Sequence, residues 1–89
     1  MTEHKIATRE WRDEAGSLHR FHYFLTVDLE ETQRFCWENY GVHITEENGG
    51  SALVPAITPS ASRIDELFTL LVDHGVGPAG LEDILADWL

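Results

Sequence analysis

The stretch HRFHYFLTVDL, residues His19–Leu29, holds the most regular hydrophobic alternation in the chain. Every second residue from position 21 onward is apolar, and this period of two is typical of a β-strand with one buried face. We therefore predict a strand over residues 18–29 that packs one face against the rest of the protein. The apolar side chains that define this face are Phe21, Tyr23, Leu25, Val27 and Leu29.

Two histidines, His19 and His22, lie three residues apart at the start of this strand. Residues three apart on a regular strand point to opposite faces, so these two cannot bind one metal ion together unless a bulge resets the alternation. The other histidines have no recognisable ligand spacing, and we predict no metal site and no cofactor. His22, on the face away from Phe21, is the better candidate for a surface contact.

The neighbouring segments predict three more strands, at about residues 3–12, 36–45 and 51–58. The turn sequences DEAGS and EENGG separate strands from one another. Because Pro55 cannot donate a backbone hydrogen bond, the last strand should lie at a sheet edge or carry a bulge. Residues 29–35 are compatible with either a turn or a single turn of helix.

The C-terminal third has the spacing of amphipathic helices, with apolar residues at i, i+3, i+4, i+7 and i+8. This spacing predicts helices over about residues 61–74 and 79–88. Either Ser60 or Ser62 can cap the start of the first helix, and Gly75 is placed to end it.

Length and composition agree with one small folded domain. The 89 residues, 43% of them hydrophobic, are enough to build a single core. The predicted segments assemble into an α+β fold over residues 1–89, an antiparallel sheet of three or four strands with two C-terminal helices packed on one face. The single cysteine, Cys36, excludes an intrachain disulfide and fits a reducing compartment, and we interpret it as a small half-buried thiol.

The chain is acidic, with a formal net charge of −10 from 16 acidic and 6 basic side chains. Residues 35–89 contain one basic side chain, Arg63, against nine acidic ones, a net charge of −8. Such a surface repels phosphate, so we predict no direct binding of nucleic acid. No apolar run is long enough to cross a bilayer, so we expect no membrane association and a soluble, cytoplasmic protein of a bacterium or one of its mobile elements.

The sequence contains no residue pattern that predicts an enzyme. GVGPAG, Gly75–Gly80, matches the glycine spacing of dinucleotide-binding loops, but it follows a helix instead of a strand. We interpret these glycines as a helix end and a turn. Cys36 has its nearest histidine, His43, on the opposite face of the same predicted strand, so no base is placed to activate the thiol. We therefore predict no catalytic residues.

Two kinds of surface residue are candidates for binding a partner. Exposed aromatic and histidine side chains would mark a protein or dimer interface, and the candidates for it are Trp11, His22, Phe35 and Trp37. Acidic side chains in the second half could together form one continuous surface, and these are Glu46, Glu47, Asp65, Glu66, Asp73, Glu82, Asp83 and Asp87.

The C-terminal sequence VGPAGLEDILADWL has a proline a few residues before a leucine, followed by an acid–apolar–acid–aromatic–leucine ending. The residues in this pattern are Pro78, Leu81, Asp83, Ile84, Asp87, Trp88 and Leu89. Together with the YGV of Tyr40–Val42, the pattern resembles a family of small bacterial domains, common in Firmicutes, that is known only as a domain of unknown function. The resemblance lies mainly in the C-terminal half and implies no catalytic residues.

These observations predict a non-catalytic interaction or regulatory module. Its partner would be another protein, to which a basic surface would be complementary, or a second copy of the same chain. The alternative is an acidic inhibitor, encoded by a phage or mobile element, whose carboxylates imitate nucleic-acid phosphates and block a basic nucleic-acid-binding protein.

Overall fold

The computed structural model describes the whole chain, residues 1–89. All four strands precede the helices, and the strands form one antiparallel sheet in the order β1-β2-β3-β4. This arrangement confirms the predicted α+β fold, with four strands in the sheet. The elements are β1 (Thr2–Arg12), β2 (Leu18–Glu31), β3 (Cys36–Glu46), β4 (Ser51–Thr58), α1 (Ala61–Asp73), a 3-10 turn (Pro78–Gly80) and α2 (Leu81–Trp88).

One face of the sheet forms the core with the two helices. Phe21 and Tyr23 of β2 are buried on this face, as the alternation predicts. The Tyr23 hydroxyl donates a hydrogen bond of 2.8 Å to the carbonyl oxygen of Val76, which ties the sheet to the segment after α1. The buried apolar side chains are Phe21, Tyr23, Val42, Ile44, Ile64, Leu67, Phe68, Leu71, Leu81 and Leu85.

The ends of α1 follow from local sequence. Ser60 is the N-cap residue, because its hydroxyl accepts the backbone N–H of Arg63 at 3.2 Å. The left-handed φ of 59° at Gly75 suits the residue that ends the helix. The Arg63 guanidinium lies 4.2 Å from the ring centroid of Trp88, a cation–π contact that joins α1 to α2.

Pro55 lies in an edge strand that also carries a bulge, so both of the predicted accommodations occur. The pairing of β3 with β4 shifts opposite Gly41, and Ala56 has a φ of 53° there. A β-carbon on Gly41 would lie 2.5 Å from the Val54 carbonyl oxygen and 2.6 Å from the Thr26 hydroxyl oxygen. Only glycine permits this close approach of the two strands.

The molecule is elongated, measuring 56 × 24 × 17 Å along its principal axes. The long axis reflects the β2–β3 hairpin, whose 14-residue first strand is the longest element of the fold. Neither helix is long and apolar enough to cross a membrane.

Candidate functional site

The end of the β2–β3 hairpin that contains the connecting turn extends beyond β1 and β4. β1 begins beside Val27, and β4 ends beside Tyr40. The pairs from Asp28–Asn39 to Glu31–Cys36 therefore have no third strand on either side. We call residues 28–39 the ribbon.

The ribbon exposes large apolar side chains. Phe35, Leu29 and Trp37 are 69%, 61% and 40% exposed. The alternation of the strands places Leu29 on the face that carries the helices and Trp37 on the other, so both faces of the ribbon are apolar in part. Exposed aromatic and leucine side chains on one segment of a protein can form part of a contact surface.

The ribbon is also acidic. Its four carboxylates stand against one basic side chain, Arg34, at the turn. Only one of these carboxylates, Asp28, has a cationic partner, the N-terminal amino group at 3.8 Å. The four acidic residues are Asp28, Glu30, Glu31 and Glu38.

The turn of the ribbon has a defined backbone, which answers the question left open for residues 29–35. β2 continues to Glu31, and a turn then joins it to β3. The Thr32 N–H donates to the Phe35 carbonyl oxygen at 2.7 Å. The Thr32 hydroxyl oxygen accepts the N–H groups of Arg34 and Phe35 at 3.3 and 3.1 Å. These residues are therefore the end of a strand and a turn, with no helical turn.

The four predicted interface residues do not form one surface. Phe35 and Trp37 both belong to the ribbon, but Trp11 pairs with His19 near the opposite end of β2. Trp37 pairs with Glu30, eleven residues further along β2, which is about 36 Å at about 3.3 Å per residue. Trp11 is 44% exposed and stacks on the His19 ring, with 4.4 Å between the ring centroids.

His22 is half-buried on the face of the sheet away from the helices and is held by two neighbours. Its Nδ1 lies 3.2 Å from the Thr8 hydroxyl, and its Nε2 lies 3.3 Å from Glu47. Arg20 contacts the other oxygen of Glu47 at 2.8 Å and also contacts Glu10 at 2.6 Å. The Arg20 guanidinium, followed by His22, lowers the pKa of Glu47. This network joins β1 and β2 to the β3–β4 turn.

His19 lies on the other face, as the strand alternation predicts, and joins two turns. Its Nδ1 is 2.8 Å from a Glu46 oxygen, and its Nε2 is 2.9 Å from an Asp13 oxygen. Both ring nitrogens can donate only when the imidazole is protonated. The hydrogen bond to Glu46, and then that to Asp13, raise the pKa of His19, while the His19 contact lowers the pKa of Asp13. We call His19, Asp13 and Glu46 the clamp.

The sequence did not reveal the clamp, because Glu46 is 27 residues from His19 and no local pattern relates them. A neighbour of His19 outside the clamp could have been predicted from the sequence. Pairing the two strands outward from the DEAGS turn places Trp11 opposite His19. Predicting the contact between His19 and Glu46 of β3 would have required the register of the β2–β3 hairpin. Alternation alone does not specify that register.

The acidic residues named from the sequence lie on more than one side of the molecule. Six of the eight lie on α1 and α2, while Glu46 belongs to the clamp. Glu47 contacts Arg20 on the opposite face of the sheet, so it does not share a surface with the helices. The six on the helices are Asp65, Glu66, Asp73, Glu82, Asp83 and Asp87.

The prediction of a half-buried thiol was wrong, because Cys36 is exposed. It lies in the ribbon, where no helix or third strand covers the hairpin. No three His, Cys, Asp or Glu side chains converge on a position that could hold a metal ion.

Comparison with known proteins identifies a family. No curated protein and no solved structure matches the chain. Residues 2–89 match a family of unknown function, DUF6514, so the match includes the entire sheet as well as both helices. The chain therefore belongs to the DUF6514 family of unknown function.

Proposed function

We propose that this protein is a non-catalytic interaction or regulatory module that binds another protein through the ribbon. The observation that carries the proposal is the exposure of Phe35, Leu29 and Trp37 on a two-stranded ribbon and its turn, beside which neither β1 nor β4 pairs. Aromatic side chains supply much of the binding energy of protein interfaces when a partner buries them. The paired strands and the hydrogen-bonded turn of the ribbon position these side chains for a partner.

The charge of the ribbon favours a partner with basic residues around an apolar cleft. The ribbon contains four carboxylates in addition to the three apolar side chains, and Arg34 is its single basic residue. Two ribbons packed together would bring like charges close, which opposes self-association through this surface. We place the interaction in the bacterial cytoplasm, where the exposed thiol of Cys36 would remain reduced.

The test compares a variant that replaces exposed apolar residues of the ribbon by serine with one that makes the same kind of replacement outside the ribbon. The double variant Phe35→Ser/Trp37→Ser removes two exposed aromatic side chains. Leu53→Ser is the control, because Leu53 is 46% exposed but lies in β4, outside the ribbon. Circular dichroism first verifies that both variants fold.

Each protein is then used as bait in a lysate of its host, with mass spectrometry of what is captured, and light scattering measures its mass in solution. We expect partners that the wild type and Leu53→Ser capture to be lost with the ribbon variant. Retention of every partner by the ribbon variant would contradict the proposal. A wild-type dimer that becomes a monomer on ribbon substitution would identify a second copy as the partner.

A second candidate is the acidic inhibitor of a basic nucleic-acid-binding protein. The observation in its favour is that the two helices carry six carboxylates and one basic side chain, Arg63. The triple variant Glu82→Gln/Asp83→Asn/Asp87→Asn removes half of the helical acids. If this candidate is correct, partner binding should weaken steeply with salt and with this variant, while the ribbon variant should have little effect.

A further inference from the structure

A groove runs between the free edge of β1 and the side of α1. β1 is the first strand of the sheet, so no strand pairs with its outer edge. The groove has a volume of about 230 Å³. Four apolar side chains line it together with two carboxylates and a hydroxyl: Ile6, Ala7, Phe68, Val72, Asp65, Asp73 and Thr69.

A β-bulge in β1 determines where the Ile6 side chain lies. The pairing of β1 with β2 shifts between Lys5 and Ala7, so Ile6 is an extra residue with no direct partner. Bulges commonly redirect a side chain at a binding site. Here the bulge leaves Ile6 48% exposed at the groove, where it adds apolar surface without joining the buried core.

The carboxylates of the groove have no cationic partner. Asp65 and Asp73 are eight residues apart on α1, which corresponds to about 12 Å along a helix. Neither makes an ion pair, although Glu66 on the same helix pairs with Arg63 at 3.6 Å. Arg9, two residues beyond Ala7 on β1, also makes no ion pair with either carboxylate. The groove therefore combines an apolar floor with two unneutralised negative charges.

We propose that this groove binds a cationic amphipathic segment of a partner protein. One apolar side chain of the segment contacts Ile6 and Val72, and a Lys or Arg on each side of it pairs with Asp65 and Asp73. Charge complementarity selects this occupant. A second copy of the chain bound across the same edge would bring two acidic rims together, which like-charge repulsion opposes. The groove is separate from the ribbon, so this proposal does not depend on the proposed function.

The probe is the blocked pentapeptide acetyl-Lys-Thr-Leu-Thr-Lys-amide. In an extended peptide the first and fifth side chains point the same way about 13 Å apart, which fits the spacing of the two carboxylates. Two control peptides replace both Lys with Glu, or Leu with Ser. Each is titrated into the ¹⁵N-labelled full chain, because amide chemical shifts report weak binding residue by residue.

We expect saturable shifts in β1 around Ile6 and in residues 65–73, with smaller effects from both control peptides. Asp65→Asn/Asp73→Asn should weaken binding about fivefold, as the loss of two exposed ion pairs predicts. Glu82→Gln/Asp87→Asn removes the same charge from α2 and should leave affinity within about twofold of the wild type. The ribbon variant Phe35→Ser/Trp37→Ser should bind the peptide unchanged, which separates this proposal from the first.

The absence of saturable shifts, equal binding of the Glu peptide, or an unchanged affinity of Asp65→Asn/Asp73→Asn would each overturn the proposal. If the amide signals of the same residues shift when the protein concentration is raised without peptide, the occupant of the groove is a second copy of the chain. That result would overturn the proposal of a cationic partner segment.

Discussion

The two ends of the β2–β3 hairpin have the same backbone pairing but different surroundings. The end near His19 lies between β1 and β4, buries Phe21 and Tyr23 in the core and is joined to two turns by the clamp. The ribbon end has two strands with no third strand beside them, and Asp28 forms an ion pair with the N-terminal amino group. An isolated two-stranded hairpin is only marginally stable in water. Backbone pairing therefore continues along the whole hairpin, but only the part that is buried is expected to contribute strongly to the stability of the fold.

The largest expected difference is between shortening a leucine of the core that covers the sheet and shortening one of the ribbon. Leu71→Ala removes a fully buried side chain of α1 and should lower the free energy of unfolding by about 2–5 kcal/mol. Leu29→Ala, in the ribbon, should change it by less than about 0.5 kcal/mol, because its side chain is already exposed. Urea denaturation measures both. Similar losses in the two variants would mean that the ribbon is packed in solution.

A smaller effect is expected where the buried end of the sheet meets the segment after α1. Tyr23→Phe leaves the Val76 carbonyl oxygen without the 2.8 Å hydrogen bond, and should lower the free energy of unfolding by about 1–2 kcal/mol. Tyr40→Phe is the control, because the Tyr40 hydroxyl makes no hydrogen bond in the structure. Ultraviolet titration adds a second check, since burial raises the pKa of Tyr23. Equal stability of the two variants would exclude a role for the bond.

The smallest expected effect is the pH dependence of the clamp. The pKa of His19 is raised above its ordinary value of 6.5 by Glu46 and then Asp13. Its stabilising contribution should therefore be complete below about pH 6.5 and be lost as the pH rises through the higher pKa of the folded state. The pKa of Asp13 is lowered, so its contribution is present above the ordinary value of 3.8 and is lost as the pH falls through the lowered pKa.

His19→Gln tests this dependence through melting temperatures measured from pH 5 to pH 9. We expect the melting temperature of the wild type to decline as the pH rises above about 6.5, and this decline should be lost in the variant. His74→Gln is the matched control, because His74 makes no side-chain ion pair. If the melting temperature of His19→Gln declines with pH as that of the wild type does, the decline arises from other titrating groups.

Much of the architecture could be predicted because local spacing carries it. The alternation from Phe21 predicted the face of β2 that buries Phe21 and Tyr23, although Leu29, which was predicted on the same buried face, is 61% exposed. The helical spacing predicted α1 and α2. Pro55 indicated an irregular edge strand, and both features are present. Each of these depends on neighbours within a few residues, where backbone geometry restricts what a side chain can face.

The candidate surfaces were less predictable, because they depend on where elements end relative to one another. Phe35 and Trp37 were named as interface candidates, but nothing in the sequence showed that β1 and β4 stop short of them. For the same reason Cys36 was expected to be half-buried and is exposed. Trp11 was grouped with the ribbon aromatics, although strand register places it near the other end.

By itself, then, the sequence determined the types of its elements, the buried face of β2 and an α+β fold. Only the tertiary structure decided which strand segments lie side by side, and with them the bare ribbon, the clamp between Asp13, His19 and Glu46, and the acidic groove beside Ile6. The reason is physical. A period of two sets which face a side chain occupies, but the register between strands arises from packing across the whole core.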